Sequence, residues 1–264
     1  MPDWLLIMAL IAFPAIFLNI RLGQNGFLIT ALFGFALLSL QDRPKLAGVL
    51  IGLLCIKPHL ALMFPIALFA IGAWQAIVVA AITVFLISAL SYLVLGGDSW
   101  IGWLNSLDIA RNILETYSFH WKFSPSIFSF LRLLDAPLPL AYGAQILLAI
   151  FAGIIVWRIW RTCPVASIRQ GVLVLASLLA SPYIFDYDLT LLAIPMILFV
   201  KASMQYGWLK GDREILILVW LTPLVMILIA VYTFIQIGPL FTLLMMAAFL
   251  RKQAKLVGKF GVDH

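Results

Sequence analysis

The chain has 264 residues, 64% of them hydrophobic and 11% charged, with a formal net charge of +6 and a mean hydropathy of +1.12. Soluble domains carry about a quarter charged residues, so this composition excludes an ordinary soluble enzyme and indicates a polytopic membrane protein. The excess Lys and Arg residues sit in short loops between apolar runs, which encodes membrane orientation and does not suit nucleic acid as a partner.

The start, Met1-Pro2-Asp3-Trp4, has no basic region and leads into an apolar run containing Pro14, so no cleaved signal peptide is expected. Apolar runs occupy 4–20, 27–40, 46–56, 60–73, 76–95, 138–157, 171–180, 189–200, 215–233 and 237–250. Several are shorter than the roughly 20 residues a helix needs to cross a bilayer. Such segments persist only where protein or a water-filled cavity surrounds their ends. The expected fold is all-α: a polytopic transmembrane helical bundle with short and broken helices, in a single domain over 1–264. Cys55 and Cys163 fall in an apolar run and a basic loop, so neither a disulfide nor a metal site is expected. No nucleotide-binding glycine loop, metal-ligand spacing or Ser/His/Asp signature occurs, and no cofactor is expected.

Orientation follows from four basic clusters: Arg43 with Lys45; Arg158, Arg161 and Arg169; Lys201, Lys210 and Arg213; and Arg251, Lys252, Lys255 and Lys259. The positive-inside rule assigns all four to the cytoplasm, with a cytoplasmic C-terminus. They agree only if 46–74 forms a hairpin with Lys57-Pro58-His59 at its tip. The hairpin tip, the turn Arg21 to Gly26, the loop 96–137 and the segment Ser181 to Asp188 then share the outer face. The 96–137 loop is too long for a plain connection. Its Trp100, Trp103, Tyr117, Trp121 and Phe123 suit an amphipathic helix at headgroup level.

A lysine beside a helix-breaking proline at membrane depth is a functional-site candidate. Lys57 could neutralise a lipid phosphate with help from the His59 imidazole, or it could snorkel to the interface beside the kink. Gln24 and Asn25 sit in a Gly-bounded turn and offer hydrogen bonds to hydroxyls or phosphate oxygens. Asp186 and Asp188 precede the run at 189–200. One caps a helix, and both are candidates for carboxylates open to the outer cavity, orienting an acceptor or acting as a base. Arg111, Glu115, His120 and Lys122 are expected to be merely solvated.

Several motifs then fall in a set order: Phe13-Pro14, Gly23-Gln24-Asn25-Gly26, Leu46-Ala47-Gly48 through Lys57-Pro58-His59, and Gly97-Asp98-Ser99-Trp100. Pro125-Ser126-Ile127-Phe128, Gln145, Leu179-Ala180-Ser181-Pro182-Tyr183 and Tyr187-Asp188 follow. Over roughly Ala12 to Pro195 this set resembles glycosyltransferase family 87, membrane enzymes of the GT-C class. The resemblance implies transfer of a hexose, mannose foremost, from a polyprenyl-phosphate sugar to a glycolipid or glycan acceptor of the cell envelope. The reaction would occur on the extracytoplasmic side of the plasma membrane, among membrane lipids. It implies donor-phosphate binding by Lys57 and His59, and substrate binding by Gln24, Asn25, Tyr183, Asp186 and Asp188. The family's catalytic acidic residue lies in its first outer loop, and Met1 falls several helices later. The resemblance therefore implies a chain lacking that loop, and no catalytic base is assigned. Two other readings use the same features: a carrier or flippase for a lipid-linked anion, and a non-catalytic partner of a full-length transferase.

Overall fold

The computed structural model describes residues 4, 8–9 and 11–260, with side chains to Leu256. Residues 1–3, part of the first apolar run and the Lys259 side chain lie outside the described residues. The described chain is all-α. Pro14 sits in the first turn of α1 (Pro14–Arg21), where its missing N–H costs no hydrogen bond. Gly23, at φ +60°, turns the chain into α2 (Gly26–Ser39). Pro44 opens α3 (Pro44–Leu53), which tightens into a 3-10 turn, Leu54–Ile56. Lys57 leaves helical geometry (φ −133°, ψ 72°) because Pro58 disfavours the α region in the residue before it. Two short helices follow, α4 (Pro58–Ala61) and α5 (Met63–Ala70).

α6 (Trp74–Thr116) runs on past a kink at Gly96, whose φ of 78° is non-helical. The remaining elements are α7 (Ser118–Trp121), α8 (Ile127–Leu133), α9 (Leu138–Thr162), α10 (Ala166–Ala180), the 3-10 segment Asp186–Leu192, α11 (Ala193–Tyr206), α12 (Asp212–Thr233) and α13 (Gly238–Phe260). The expected 96–137 loop is thus largely helical, because the positive φ of Gly96 kinks the chain while the helix resumes at Gly97. Among the described residues, four helical stretches are long and apolar enough to cross a membrane: Trp74–Thr116, Leu138–Thr162, Asp186–Tyr206 and Asp212–Thr233. The bundle is the polytopic all-α fold the sequence implies.

The direction of the broken segment follows from two close approaches. A Cβ at Gly48 would meet the Ala76 carbonyl and Val79, and one at Gly52 would meet the Ala80 carbonyl and Thr83. Contacts that advance together along both chains mean that α3 and the first half of α6 run parallel. The intervening α4 and α5 must therefore run back, so 46–74 is a hairpin with Lys57-Pro58-His59 at its tip. Its return arm packs on α9 and α10 instead of closing tightly on α3.

α10 is the hub. Every residue from Gly171 to Ala180 is buried, with α9, α11 and α13 packed around it. Lipid tails are as apolar as these side chains, so close packing and interhelical polar links must supply the cohesion. Gln145 of α9 donates to the Leu179 carbonyl at 2.9 Å, and Gln170 of α10 donates to the Leu37 carbonyl at 3.0 Å. These two links pin opposite ends of α10. The basic clusters gather at the end holding Gln170; the hairpin tip and Ser181–Asp188 lie at the other.

One basic residue departs from its expected place. Lys252 is 2% exposed, not part of a solvated tail. Its Nζ donates to Asp212 Oδ2 at 2.8 Å and to the Gly207 carbonyl at 3.0 Å, while Arg251 holds the other Asp212 oxygen. Burial of a lysine is tolerable here because a buried carboxylate and a carbonyl replace its water.

The Gly52 contact yields a test of this packing. In Gly52→Ile the new Cβ would lie 2.5 Å from the Thr83 Cβ, forcing α3 away from α6. Overpacking of this kind costs about 1–3 kcal/mol. We expect a lowered unfolding temperature in detergent, and Gly52→Ile/Thr83→Gly, which removes the clashing Cβ, should recover part of it.

Candidate functional site

The break before Pro58 points Lys57 across the bundle, and its partner is 131 residues away: Nζ donates to Asp188 Oδ1 at 2.6 Å. The Lys57 side chain is 13% exposed and that of Asp188 only 1%. Lys57 Nζ also lies 4.6 Å from the centroid of the Tyr187 ring, whose negative face attracts the cation. The lysine read from the sequence as meeting a lipid phosphate or snorkelling to the interface therefore has a carboxylate partner within the chain. An ammonium has three protons, so the Asp188 bond leaves others to meet a ligand.

Asp188 does two jobs. Its Oδ2 accepts the Phe185 N–H at 3.1 Å, so it reaches back to the start of its own 3-10 segment while Oδ1 holds Lys57. Asp186 is 3% exposed, and its Oδ1 accepts the Tyr187 N–H at 2.9 Å. The expectation of two carboxylates open to an outer cavity is corrected on this point: both are buried. The segment Ser181–Asp188 folds under the hairpin tip, and its backbone N–H groups and Lys57 replace the water the carboxylates lose.

His59 lies beside this pair. Its Nε2 is buried and makes no hydrogen bond among the described residues, and its ring is 6.4 Å from that of Tyr183. Tyr183 is anchored by its N–H on Ser181 Oγ at 3.1 Å. Burial, then the charge of Glu115, pushes the Tyr183 phenol above its usual range, so it stays protonated and able to donate. Phe185 and Tyr187 stack at 5.6 Å, and the His120 ring stands edge-on to Phe185 at 6.0 Å. The His120 Nδ1 is buried and without a partner among the described residues.

The turn before α2 joins the same end. Gln24 is exposed, while the Asn25 Oδ1 is buried and unpartnered among the described residues. Asn25 does not cap α2. Asn19, 1% exposed, performs that task by accepting the Gly26 N–H at 2.9 Å. Thr30 and Thr190 hydroxyls bond at 3.0 Å and tie α2 to the 3-10 segment. Asn19 was open to detection as a polar residue inside an apolar run.

Of the long-loop residues expected to be solvated, Arg111 is exposed, but Glu115, His120 and Lys122 are half-buried. The Glu115 side chain is 18% exposed, and Oε1 accepts both the Arg111 Nε–H at 2.8 Å and the Tyr142 hydroxyl at 2.9 Å. Lys122 Nζ sits 4.1 Å from the Phe234 ring centroid. Glu115 and Tyr142 are 27 residues apart on α6 and α9, and no local pattern announces their meeting.

Chemically, this end presents a compensated ion pair, stacked rings and two imidazole nitrogens awaiting partners. Aromatic faces suit the weakly positive C–H bonds of a sugar ring, and the unfilled donors and acceptors suit its hydroxyls. Any anion reaching Lys57 must share it with Asp188.

The pair is also structural. Lys57→Met would strand the buried Asp188 charge, a change that costs about 3–5 kcal/mol. The double variant Lys57→Met/Asp188→Asn keeps the acceptor for the Phe185 N–H and removes the stranded charge. It should recover most of the loss in thermal unfolding. Equal losses in both variants would refute this account.

The sequence profile of glycosyltransferase family 87 matches residues 1–182, which include Gln24, Asn25, Lys57 and His59 and end just before Tyr183, Asp186 and Asp188. No curated protein and no solved structure matches the chain. The profile covers more than half of a chain whose helices, hairpin and polar end are those of a membrane protein, and the chain belongs to glycosyltransferase family 87.

Proposed function

We propose that this membrane glycosyltransferase moves a hexose, mannose foremost, from a polyprenyl-phosphate donor to a glycolipid or glycan acceptor at the hairpin-tip end of the bundle. In this reading the fold is of the GT-C class and the tip end faces the extracytoplasmic side of the plasma membrane, with the C-terminus in the cytoplasm. The clustering of basic residues at the opposite end supports that orientation. The observation that carries the reading is the Lys57–Asp188 pair, partly exposed and bordered by the unpartnered His59 Nε2.

In the reaction the bond between the sugar's anomeric carbon and the phosphate oxygen breaks, and the phosphate leaves with the electron pair. An acceptor oxygen forms the new bond and gives up its proton. Lys57 and His59 would hold the phosphate as its charge grows, which favours the transition state over the ground state. Tyr183, Asp186, Asn25 and Gln24 would meet sugar hydroxyls. The base that takes the acceptor proton is not assigned.

The double variant Lys57→Met/Asp188→Asn separates function from stability. It should fold, yet transfer labelled mannose from polyprenyl-phosphate mannose about 10²–10³-fold more slowly, the usual cost of losing one preorganised group facing developing charge. The assay uses protein purified from its own membranes and reconstituted in proteoliposomes. Full turnover by the double variant would reduce the pair to a structural staple. Movement of lipid-linked sugar across the bilayer without turnover by the wild type would replace transfer with a carrier function.

A further inference from the structure

The extension of α6 beyond Gly96 builds a second polar cluster beside the ion pair. Glu115 Oε1 takes the Arg111 Nε–H and the Tyr142 hydroxyl, so both bonds fall on one oxygen. The second oxygen, Oε2, makes no hydrogen bond among the described residues. Arg132 Nη2 approaches the Glu115 carbonyl at 3.4 Å, and its Nε is buried without a partner among the described residues. Tyr142 and Tyr183 pack on the same small apolar cluster of Leu114, Phe128 and Ala141. The Tyr142 ring lies 4.8 Å from that of Phe128, whose N–H is fixed by the Gln145 side chain at 3.2 Å. The Tyr183 ring in turn approaches His59.

The Tyr142 bond pins α6 to α9, and it also fixes the direction of the second Glu115 oxygen. An i,i+4 pair such as Arg111–Glu115 by itself contributes only a few tenths of a kcal/mol on a helix surface. Here a half-buried carboxylate is oriented by a guanidinium and by a tyrosine from another helix, with one oxygen left open. A rigid acceptor beside rings and unfilled N–H groups suits a neutral polyol: hydroxyls both donate and accept, and the sugar's C–H face lies on an aromatic ring. The open Glu115 oxygen can only accept, so it takes a donor such as a hydroxyl. The two clusters therefore differ in the group they offer, an ammonium donor at the hairpin tip and a carboxylate acceptor on the α6 extension.

We propose that Glu115, oriented by Arg111 and Tyr142 and bordered by Tyr183, is a hexose-hydroxyl subsite that positions the neutral sugar of the acceptor. The assignment to the acceptor rests on the transferase reading; the sugar binding itself does not. Nothing in the α6 sequence alone marks Glu115, because the site exists only where α6 meets α9.

The test is direct binding by the full chain in nanodiscs, read by intrinsic fluorescence. The probes are octyl α-D-mannopyranoside, octyl β-D-glucopyranoside and, as an apolar control, octanol. Glu115→Gln and Tyr142→Phe keep size and shape and should each weaken glycoside binding about tenfold, the effect of losing one hydrogen bond to a charged group. Binding of polyprenyl phosphate should be unchanged in both. Unfolding temperatures within a few degrees of the wild type confirm that the loss is local. The subsite is overturned if neither glycoside saturates the wild type, if octanol reproduces the signal, if the variants bind glycoside normally, or if they lose polyprenyl phosphate equally. Glycoside binding that depends on Glu115 in a protein without transfer activity would support the subsite and overturn the transferase reading. Transfer without such binding would do the reverse.

Discussion

A lysine at membrane depth must find an anion, and that requirement organises the end of the molecule where the chemistry is expected. Lys57 cannot turn back into its own helix because Pro58 prevents helical geometry there. It meets Asp188 instead, and the bond ties the hairpin tip to the 3-10 segment that leads into α11. Asp188 simultaneously accepts the Phe185 N–H, so the same carboxylate sets the path of the chain after α10. The positions of His59, Tyr183, Tyr187 and Asp186 all depend on that path. Without the pair the tip would carry an uncompensated charge, and the segment beneath it would lose its cap.

The opposite end answers a similar requirement in a different way. Asp212 receives Lys252, Arg251 and the Leu209 N–H, and Lys252 is also bound by the Gly207 carbonyl. Lys252 and Asp212 are fully buried there, and their site is closed on itself. At the hairpin tip Lys57 keeps 13% exposure, and unpartnered nitrogens of His59 and His120 lie nearby. One buried carboxylate–lysine pair serves as a fastening, while the other is left partly open. Between them α10 is buried on every face from Gly171 to Ala180, and its two ends are joined to neighbours by glutamine side chains on backbone carbonyls. In lipid, such links and close contacts at glycine replace the water-driven burial of a soluble core.

In this family 87 chain the charges of that end are paired across elements: Lys57 of the hairpin with Asp188 of the 3-10 segment, and Glu115 with Arg111 on the α6 extension. The rings of Phe185, Tyr187, Tyr142 and Tyr183 lie among them. An ion pair that is neutral at rest lowers the desolvation penalty of a lysine in this setting. It also means that any anionic ligand competes with Asp188, so binding and local rearrangement are coupled.

Much of this was legible in the amino-acid sequence. Apolar run lengths gave the helices, including the short and broken ones, because burial in lipid constrains each segment by itself. The basic loops required 46–74 to double back, and Gly48 and Gly52 against α6 show that it does. The Gly23 turn was visible because a glycine-bounded turn is a local property. Who meets whom was not visible. Nothing near Lys57 names Asp188, nothing near Glu115 names Tyr142, and Lys252 reads as one more basic tail residue until Asp212 is placed against it. The burial of Asp186 and Asp188 was misjudged for the same reason, since exposure depends on what folds over a segment. Hydropathy and charge bias act along the chain, and they determined the spans and the gathering of polar residues at one end. Partnership between charges across 131 residues is settled only by how the helices pack, and the tertiary structure alone decided it.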